Sequence, residues 1–420
     1  MPALLRKDDE WFLAMAICLG LLTPYSAPWV IHGVTLTLFM NHQDITQHEI
    51  EALKHTFNVS DAHTHQSQSR TQRGIISRLP ELWYEAENAK QYDVEQHFLK
   101  TFFRVQEQNW AMKNNNALLV YASSIAMVMT ANYLMKKNMT VSLMHPCFDN
   151  LTDILKHMNV PISPLEEVWF TDSTKIYENL EKHVTTDALF IVDPNNPTGF
   201  TLFHGGPKAW SEVIRFAKDK NKLLLIDFCF APFLLPDKEL SVFDVYELLE
   251  KSGVSYIAYE DTGKTWPLQD TKVAILKTSK DVYEEIYSIH TSYLLNVSPF
   301  ILNLVTEYIL DSEKDNFTSV FDLLETNRLL AERILQGSIL EPIEPLAKVS
   351  VLWCKITNPE VKASELKEYL AKHGVHVLSG TYFYWNDREE GEHYIRIALA
   401  RDTSLLEDAL LTLRKALDEY

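Results

Sequence analysis

Three apolar runs in this chain end on residue types that do chemistry. Tyr256-Ile257-Ala258-Tyr259 reads as a short buried strand and leads into Glu260-Asp261-Thr262-Gly263-Lys264. A lysine just past a strand end sits where the clefts of open α/β sheets form. Desolvation there lowers the amine pKa and frees it for nucleophilic attack. Ala188-Leu189-Phe190-Ile191-Val192 leads into Asp193-Pro194-Asn195-Asn196-Pro197-Thr198-Gly199, whose prolines, asparagines and glycine make a tight loop at a strand end. Leu223-Leu224-Leu225-Ile226 ends on Asp227, a carboxylate that needs a partner if it is buried. Each has an ordinary reading as well: a solvated lysine, a plain turn, a helix cap or structural ion pair.

Other residues could join them. Ala117 to Tyr121 reads as a strand, and Ala122-Ser123-Ser124 opens a helix over Ile125 to Lys136. Free N–H groups at a helix start, flanked by small hydroxyl side chains, suit a phosphate, although a serine cap needs no ligand. Phe148 follows the strand Thr140 to Met144, and Lys272 opens the apolar run Val273 to Leu276. Asp261, three residues before Lys264, suits a cationic group better than a phosphate. Arg396 lies on the alternating strand Tyr394 to Leu399, where a surface ion pair is the plain alternative. Near the start, Thr46 caps a short helix over Gln47 to Lys54 that carries Glu49, and Asp61-Ala62-His63 lies in a polar stretch that reads as a solvated loop. Two histidines and an aspartate are too few, and wrongly spaced, for a metal site, and none is expected.

The elements that must position these residues alternate strand and helix up to about residue 300, then turn to an α+β pattern. Asp322 to Leu335 is apolar at helical spacing, Val349 to Trp353 alternates as a strand, and Leu405 to Leu413 marks a last amphipathic helix.

Asn196, Asp227 and Lys264 together resemble, in type, order and spacing, the fold-type I pyridoxal-phosphate (PLP) enzymes of the aspartate aminotransferase superfamily. The resemblance implies an α/β fold: a large domain with a mostly parallel seven-stranded sheet between helices, and a smaller α+β domain. The expected division is an apolar extension over 1–44, an arm covering the active site over 45–85, a large PLP-binding domain over 86–300 and a small domain over 301–420. It further implies that Lys264 forms a Schiff base with the cofactor and that Asp227 keeps the pyridine ring protonated. Asn196 would bond the phenolic oxygen and Phe148 stack on the ring. Ser123, Ser124 and Lys272 would hold the phosphate, and Arg396 would grip the substrate carboxylate. Lys272 stands where an arginine is usual, which keeps the charge but loses the bidentate fork. Phe230 stands where ordinary aminotransferases carry a tyrosine.

Glu49, Asp61-x-His63, Leu79-Pro80-Glu81-Leu82-Trp83, His145 to Asn150, Glu260 to Pro267 and Tyr394 to Arg401 are similar to one subgroup, the PLP- and oxygen-dependent L-arginine hydroxylases. That likeness implies oxidation of L-arginine by dioxygen to 4-hydroxy-2-oxo and 2-oxo acids. His63 would serve hydroxylation, while Glu49, Asp61 and Asp261 would meet the substrate. An ordinary aminotransferase and a capreomycidine-type cyclase remain alternatives.

A net charge of −18 argues against nucleic acid as a partner. Cys18, Cys147, Cys229 and Cys354 show no metal spacing and suit a reduced, cytoplasmic enzyme, expected as a homodimer. Trp11 to Leu22 is an apolar stretch too short for a membrane span, behind a head that is net acidic and wrong for export. Translation from Met40, or an extension without function, is the expected explanation.

Overall fold

The computed structural model describes Val30–Ile31, Val34–Thr35 and residues 45–420 apart from Asp149. The run Trp11 to Leu22, Cys18 and Met40 lie outside the described residues. The chain divides into two compact units, Met1–Gln43 and Asp44–Tyr420. In the first, β1 (Val30–Ile31) pairs antiparallel with β2 (Val34–Thr35).

The second unit opens with a helix over Ile45–Ala52 and the two-residue strand β3 (Phe57–Asn58). Its central sheet has seven strands: β4 (Ala117–Val120), β5 (Val141–His145), β6 (Ile162–Glu166), β7 (Ala188–Val192), β8 (Leu223–Asp227), β9 (Tyr256–Asp261) and β10 (Ala274–Thr278). Their order is β4-β10-β9-β8-β7-β5-β6. From β9 through β6 all pairs are parallel, and β10 runs antiparallel to both neighbours. Helices cover both faces, so the inner strands read as unbroken apolar runs rather than alternating ones. Leu224, Leu225 and Ile226 are wholly buried. Each such side chain contributes about 1.5–3 kcal/mol. The parallel direction brings the ends of β7, β8 and β9 to one edge of the sheet. Since β4 runs parallel to β9, the helix Ser123–Lys136 also starts at that edge.

A smaller antiparallel sheet follows, of β11 (Leu340–Pro342), β12 (Val351–Ile356), β14 (Leu378–Ser379) and β15 (Tyr394–Ala398), in the order β11-β12-β15-β14. The strand expected over Val349 to Trp353 starts two residues later, with Val349 and Ser350 buried ahead of it. β13 (Val375–His376) pairs in parallel with β3, so the start of the chain adds a strand to its far end.

The N-terminal stretch departs most from expectation. Its first helix begins at Ile45, which puts Thr46 inside the helix rather than at its cap. Ser60 to Ala62 is not a solvated loop: Asp61 is 2% exposed and Ser60 1%. Three backbone bonds explain this. Val59 N–H donates to His376 O (3.0 Å), Ala398 N–H to Val59 O (2.8 Å) and His65 N–H to Ala400 O (3.0 Å). The polar segment is therefore threaded between the ends of β13 and β15. Among the described residues no helix is long and apolar enough to cross a membrane.

Candidate active site

The sheet edge holds an open cavity. Its wall is built strand end by strand end. Val192 and Pro194 come from the end of β7, Asp227, Cys229 and Phe230 from the end of β8, and Lys264 from the loop after β9. Ser123 and Ser124 come from the helix start after β4, and Phe148 from the loop after β5.

Local chemistry sets each side chain. In the loop after β7, Gly199 N–H donates to Asn195 O (2.8 Å) and Asn195 N–H to Phe200 O (2.8 Å). Gly199 has φ +70°, and a Cβ there would lie 2.5 Å from Pro345 Cβ, so only glycine fits. Two acids hold this loop, Asp193 buried and Glu167 half-buried. Asp193 accepts from Trp210 Nε1 (3.0 Å), and Glu167 accepts from Asn195 Nδ2 (2.7 Å) and Thr198 Oγ1 (2.6 Å). Burial pushes both carboxyls up to about 7, against the hydrogen bonds they receive.

Asp227 is 6% exposed and accepts from Cys229 N–H (2.9 Å). Burial pushes its carboxyl up, and so does the nearby Asp261 charge, while the Cys229 hydrogen bonds and the Lys264 charge oppose this. A cation placed against it would bring the carboxyl down again. The helix Ser123–Lys136 has Ala122 at its cap position and no capping side chain. Ser123 N–H instead donates to Asp261 Oδ2 (3.2 Å), and Asp261 Oδ1 also accepts from Gly263 N–H. A Cβ on Gly263 would meet Lys272 Cδ at 2.6 Å and Asp261 Oδ1 at 3.0 Å, so a larger residue here would displace the Lys272 chain.

Lys264 Nζ lies 3.3 Å from His63 Nε2, and Lys272 Nζ lies 3.3 Å from the same nitrogen. His63 thus comes from the N-terminal stretch to the lysine after β9. Its seat is fixed by Thr64 Oγ1, which donates to Trp266 O (2.7 Å), and by Gln68 Nε2, which donates to Pro267 O (2.5 Å). The Lys264 charge, then burial, lower the His63 pKa; Lys272 adds to this and Asp61 opposes it. Across the cavity Arg396, wholly buried on β15, donates to Asn196 Oδ1 (3.1 Å), Glu49 Oε1 (3.0 Å) and Ser60 O.

Of the predicted residues, Ser123, Ser124, Phe148, Asn196, Asp227 and Lys264 line the cavity, while His63, Asp261 and Arg396 each contact a lining residue and Lys272 contacts His63. Glu49, expected at a substrate guanidinium, is held here by the protein's own guanidinium. Asp61 does not line the cavity. It accepts from Asn58 Nδ2 (2.7 Å), His63 N–H (3.0 Å), His65 Nε2 (2.9 Å) and Arg401 Nη2 (3.3 Å). Arg401, which also donates to the carbonyls of Asn58, Asp61 and His63, was missed as a site residue. The signal lay in the small and apolar run Val59-Ser60-Asp61-Ala62, which is poor in solvating side chains and asks for a buried partner. Among the described residues no cluster suits a metal ion.

Residues 88–413 match the family described as aminotransferase class I and II. The chain belongs to that family. This aminotransferase-family chain shares 29% identity with MppP, in a structure soaked with the product 2-ketoarginine. The match covers 86% of this chain and 99% of that one, with a TM-score of 0.77. A PLP-bound protein from Clostridium difficile 630 is 18% identical over 86% and 92% of the two chains, with a TM-score of 0.70. The α-aminoadipate aminotransferase LysN from Thermus thermophilus, complexed with N-(5'-phosphopyridoxyl)-L-leucine, is 14% identical over 88% and 94%, also at 0.70. No curated protein matches the sequence. The fold is that of the fold-type I aminotransferases, and the cofactor of this enzyme is pyridoxal 5'-phosphate. The cavity fits that molecule by its donor set: a helix start with two serines and no capping side chain of its own for a phosphate, once Asp261 gives up the Ser123 N–H, a buried carboxylate for a protonated ring nitrogen, and an amine for an aldehyde.

Proposed function

We propose that this enzyme oxidises and hydroxylates L-arginine with dioxygen, releasing 4-hydroxy-2-oxo and 2-oxo acids. The observation that carries the reading is His63 Nε2 at 3.3 Å from Lys264 Nζ. An aminotransferase needs only its lysine for proton transfer at Cα, and a second base brought to that lysine by a separate segment suits a second proton transfer. In this reading residues 45–85 form the arm, 86–300 the cofactor-holding part and 301–420 the small part.

Bound pyridoxal phosphate supplies an electron sink for a carbanion at the substrate Cα. Lys264 carries the cofactor and takes the Cα proton. Asp227 pairs with the ring nitrogen, Asn196 with the phenolic oxygen, and Phe148 covers the ring. Ser123, Ser124 and Lys272 hold the phosphate. Arg396 receives the substrate carboxylate through its planar fork. A carboxylate arriving there takes the place of Glu49, which leaves Glu49, with Asp261, to meet a side-chain cation. An amino acid with a guanidinium satisfies both exchanges without stranding a buried charge. The arm excludes bulk water, and His63 moves a proton to or from one retained water.

The family match itself favours a second reading, an ordinary aminotransferase with a 2-oxo acid acceptor. Incubation of purified protein with L-arginine, with and without oxygen and with and without an added 2-oxo acid, separates the two. Oxygen consumption with hydroxylated product, lost to plain 2-oxo acid in His63→Ala, is the expected result. Turnover that requires the added acceptor and ignores oxygen makes the aminotransferase reading the right one. The reading also takes the enzyme as a cytoplasmic homodimer. The free thiols of Cys229 and Cys354 and the exposed Trp83, Tyr84 and Leu295 support this.

A further inference from the structure

We propose that Asp61 is the positioning residue for His63: it fixes the ring with Nδ1 as donor and so turns Nε2, as a proton acceptor, onto Lys264. This deepens the proposed function and rests on His63 acting at the site.

The assignment follows from what each partner can do. Nε2 faces Lys264 Nζ and Lys272 Nζ, each at 3.3 Å. With both amines as free ammonium groups, which have donors only, the nitrogen between them must offer a lone pair, and once the cofactor occupies Lys264 the Asp61 contact at the other ring nitrogen is what holds that tautomer. In a neutral imidazole the other nitrogen then carries the proton. That nitrogen, Nδ1, lies 3.3 Å from Asp61 Oδ1, and a carboxylate can only accept. The contact is long, but the same oxygen also takes the His63 backbone N–H at 3.0 Å, which fixes the residue as well as its ring.

Asp61 itself cannot turn away. Asn58 Nδ2 and Arg401 Nη2 hold Oδ2, while His65 Nε2 shares Oδ1 at 2.9 Å. Swinging the carboxylate into the cavity to meet a substrate would leave the buried Arg401 guanidinium without its counter-charge. Burial alone would raise the Asp61 carboxyl, yet hydrogen bonds from His63 and His65 and the Arg401 charge hold it well below the usual carboxylate range. It therefore stays an acceptor wherever the enzyme works. The charged and titratable neighbours of the His63 ring are Lys264, Lys272, Asp61 and Asp270, with His65 and Arg401 behind Asp61.

The experiment reads the tautomer directly. In holoenzyme labelled with ¹⁵N-histidine, long-range ¹⁵N–¹H correlation above neutral pH reports which ring nitrogen carries the proton, and the His63 signals are those absent from His63→Gln. The expected result is a proton on Nδ1 and a bare Nε2. An Nε2–H tautomer, or an even mixture, overturns the proposal. Asp61→Asn should abolish the preference and lower the share of hydroxylated product by about 100-fold, the low end for a general base, with the cofactor absorbance retained. His65→Gln should leave the tautomer unchanged. A wild-type tautomer and product share in Asp61→Asn would show Asp61 to be a loop anchor only. Should Asp61→Asn fail to fold, the unmodified protein still decides the question. A protein that consumes no oxygen defeats the oxidase reading while leaving the tautomer result standing, so the two failures are distinguishable.

Discussion

At the residue scale, charge placement governs what the cavity can accept. Asp261 sits where a hydroxyl would suit a phosphate, and its carboxylate accepts from Ser123 N–H at the helix start. If it also meets the substrate cation, Asp261→Asn should weaken L-arginine by about 2–5 kcal/mol, the cost of removing one partner of a buried charged contact. An uncharged amino acid of similar length should lose far less. Binding titrations with both ligands check this, and equal losses would remove Asp261 from the cation site. Glu167 offers a different test. Its carboxyl is raised from an ordinary 4.5 to about 7 because burial outweighs the hydrogen bonds from Thr198 and Asn195. The folded state thus holds a proton that the unfolded state gives up. Its contribution to stability is full below pH 4.5 and is lost as pH rises through 7. Glu167→Gln keeps an acceptor for Asn195 and Thr198 without the charge. It should melt at a higher temperature than the wild type at pH 8, with the gap closing towards pH 4.5. A constant gap across that range would mean that ionisation of Glu167 is not the cause.

At the element scale, the helix Ile45–Ala52 is held by rings as much as by apolar packing. His48 lies 4.8 Å from the Tyr382 ring and 3.4 Å from Lys367 Nζ, and His55, just past the helix, stacks on His376 at 4.0 Å. Burial, then the neighbouring His55, lowers the His376 pKa; Lys367 acts the same way, and Glu51 and Glu368 oppose it. A base whose pKa is depressed by folding stabilises the docked state above its unfolded value of 6.5 and loses that contribution as pH falls below it. The segment should therefore loosen below pH 6.5. Tryptic cleavage after Lys54 should accelerate as pH falls from 7 to 5.5, once corrected for the protease's own pH dependence. His376→Phe, which keeps a stacking face without the charge, should blunt that acceleration. Elements differ in how far they could be read in advance. Asn196, Asp227 and Lys264 were legible because each is announced locally, by an apolar run that ends on a polar loop. The seat of the arm was not. Asp61 reads as solvated, since its partner Arg401 lies more than 300 residues away and no local pattern links them.

At the scale of the whole molecule, the loop after β7 packs at Gly199 against the loop between β11 and β12. Ala347 N–H donates to Gly199 O (2.8 Å), and a Cβ on Gly199 would lie 2.7 Å from Ala347 O as well as against Pro345. Gly199→Ala combines a left-handed backbone, about 1–2 kcal/mol for a residue with a Cβ, with a collision against backbone that cannot yield. It should lower the melting temperature and speed cofactor loss on dialysis, because Asn196 lies in the same loop. Retention of cofactor at the wild-type rate would mean that the contact between these loops does not support the cavity.

Arg401 carries one more consequence, in the order of events during synthesis. The arm emerges from the ribosome before the central sheet, but the guanidinium that clamps Asp61 is 340 residues downstream, and domains generally form as their segments emerge. The seven strands from Ala117 to Thr278 are all translated before Arg401 exists. A nascent chain could thus complete its central sheet while its histidine hangs unseated. A chain released early, short of Arg401, would keep the strands of that sheet and the lysine at its edge but have nothing to lock the arm down. In this architecture residues made before the sheet find their place after it, and chemistry that depends on His63 waits for translation to reach Arg401.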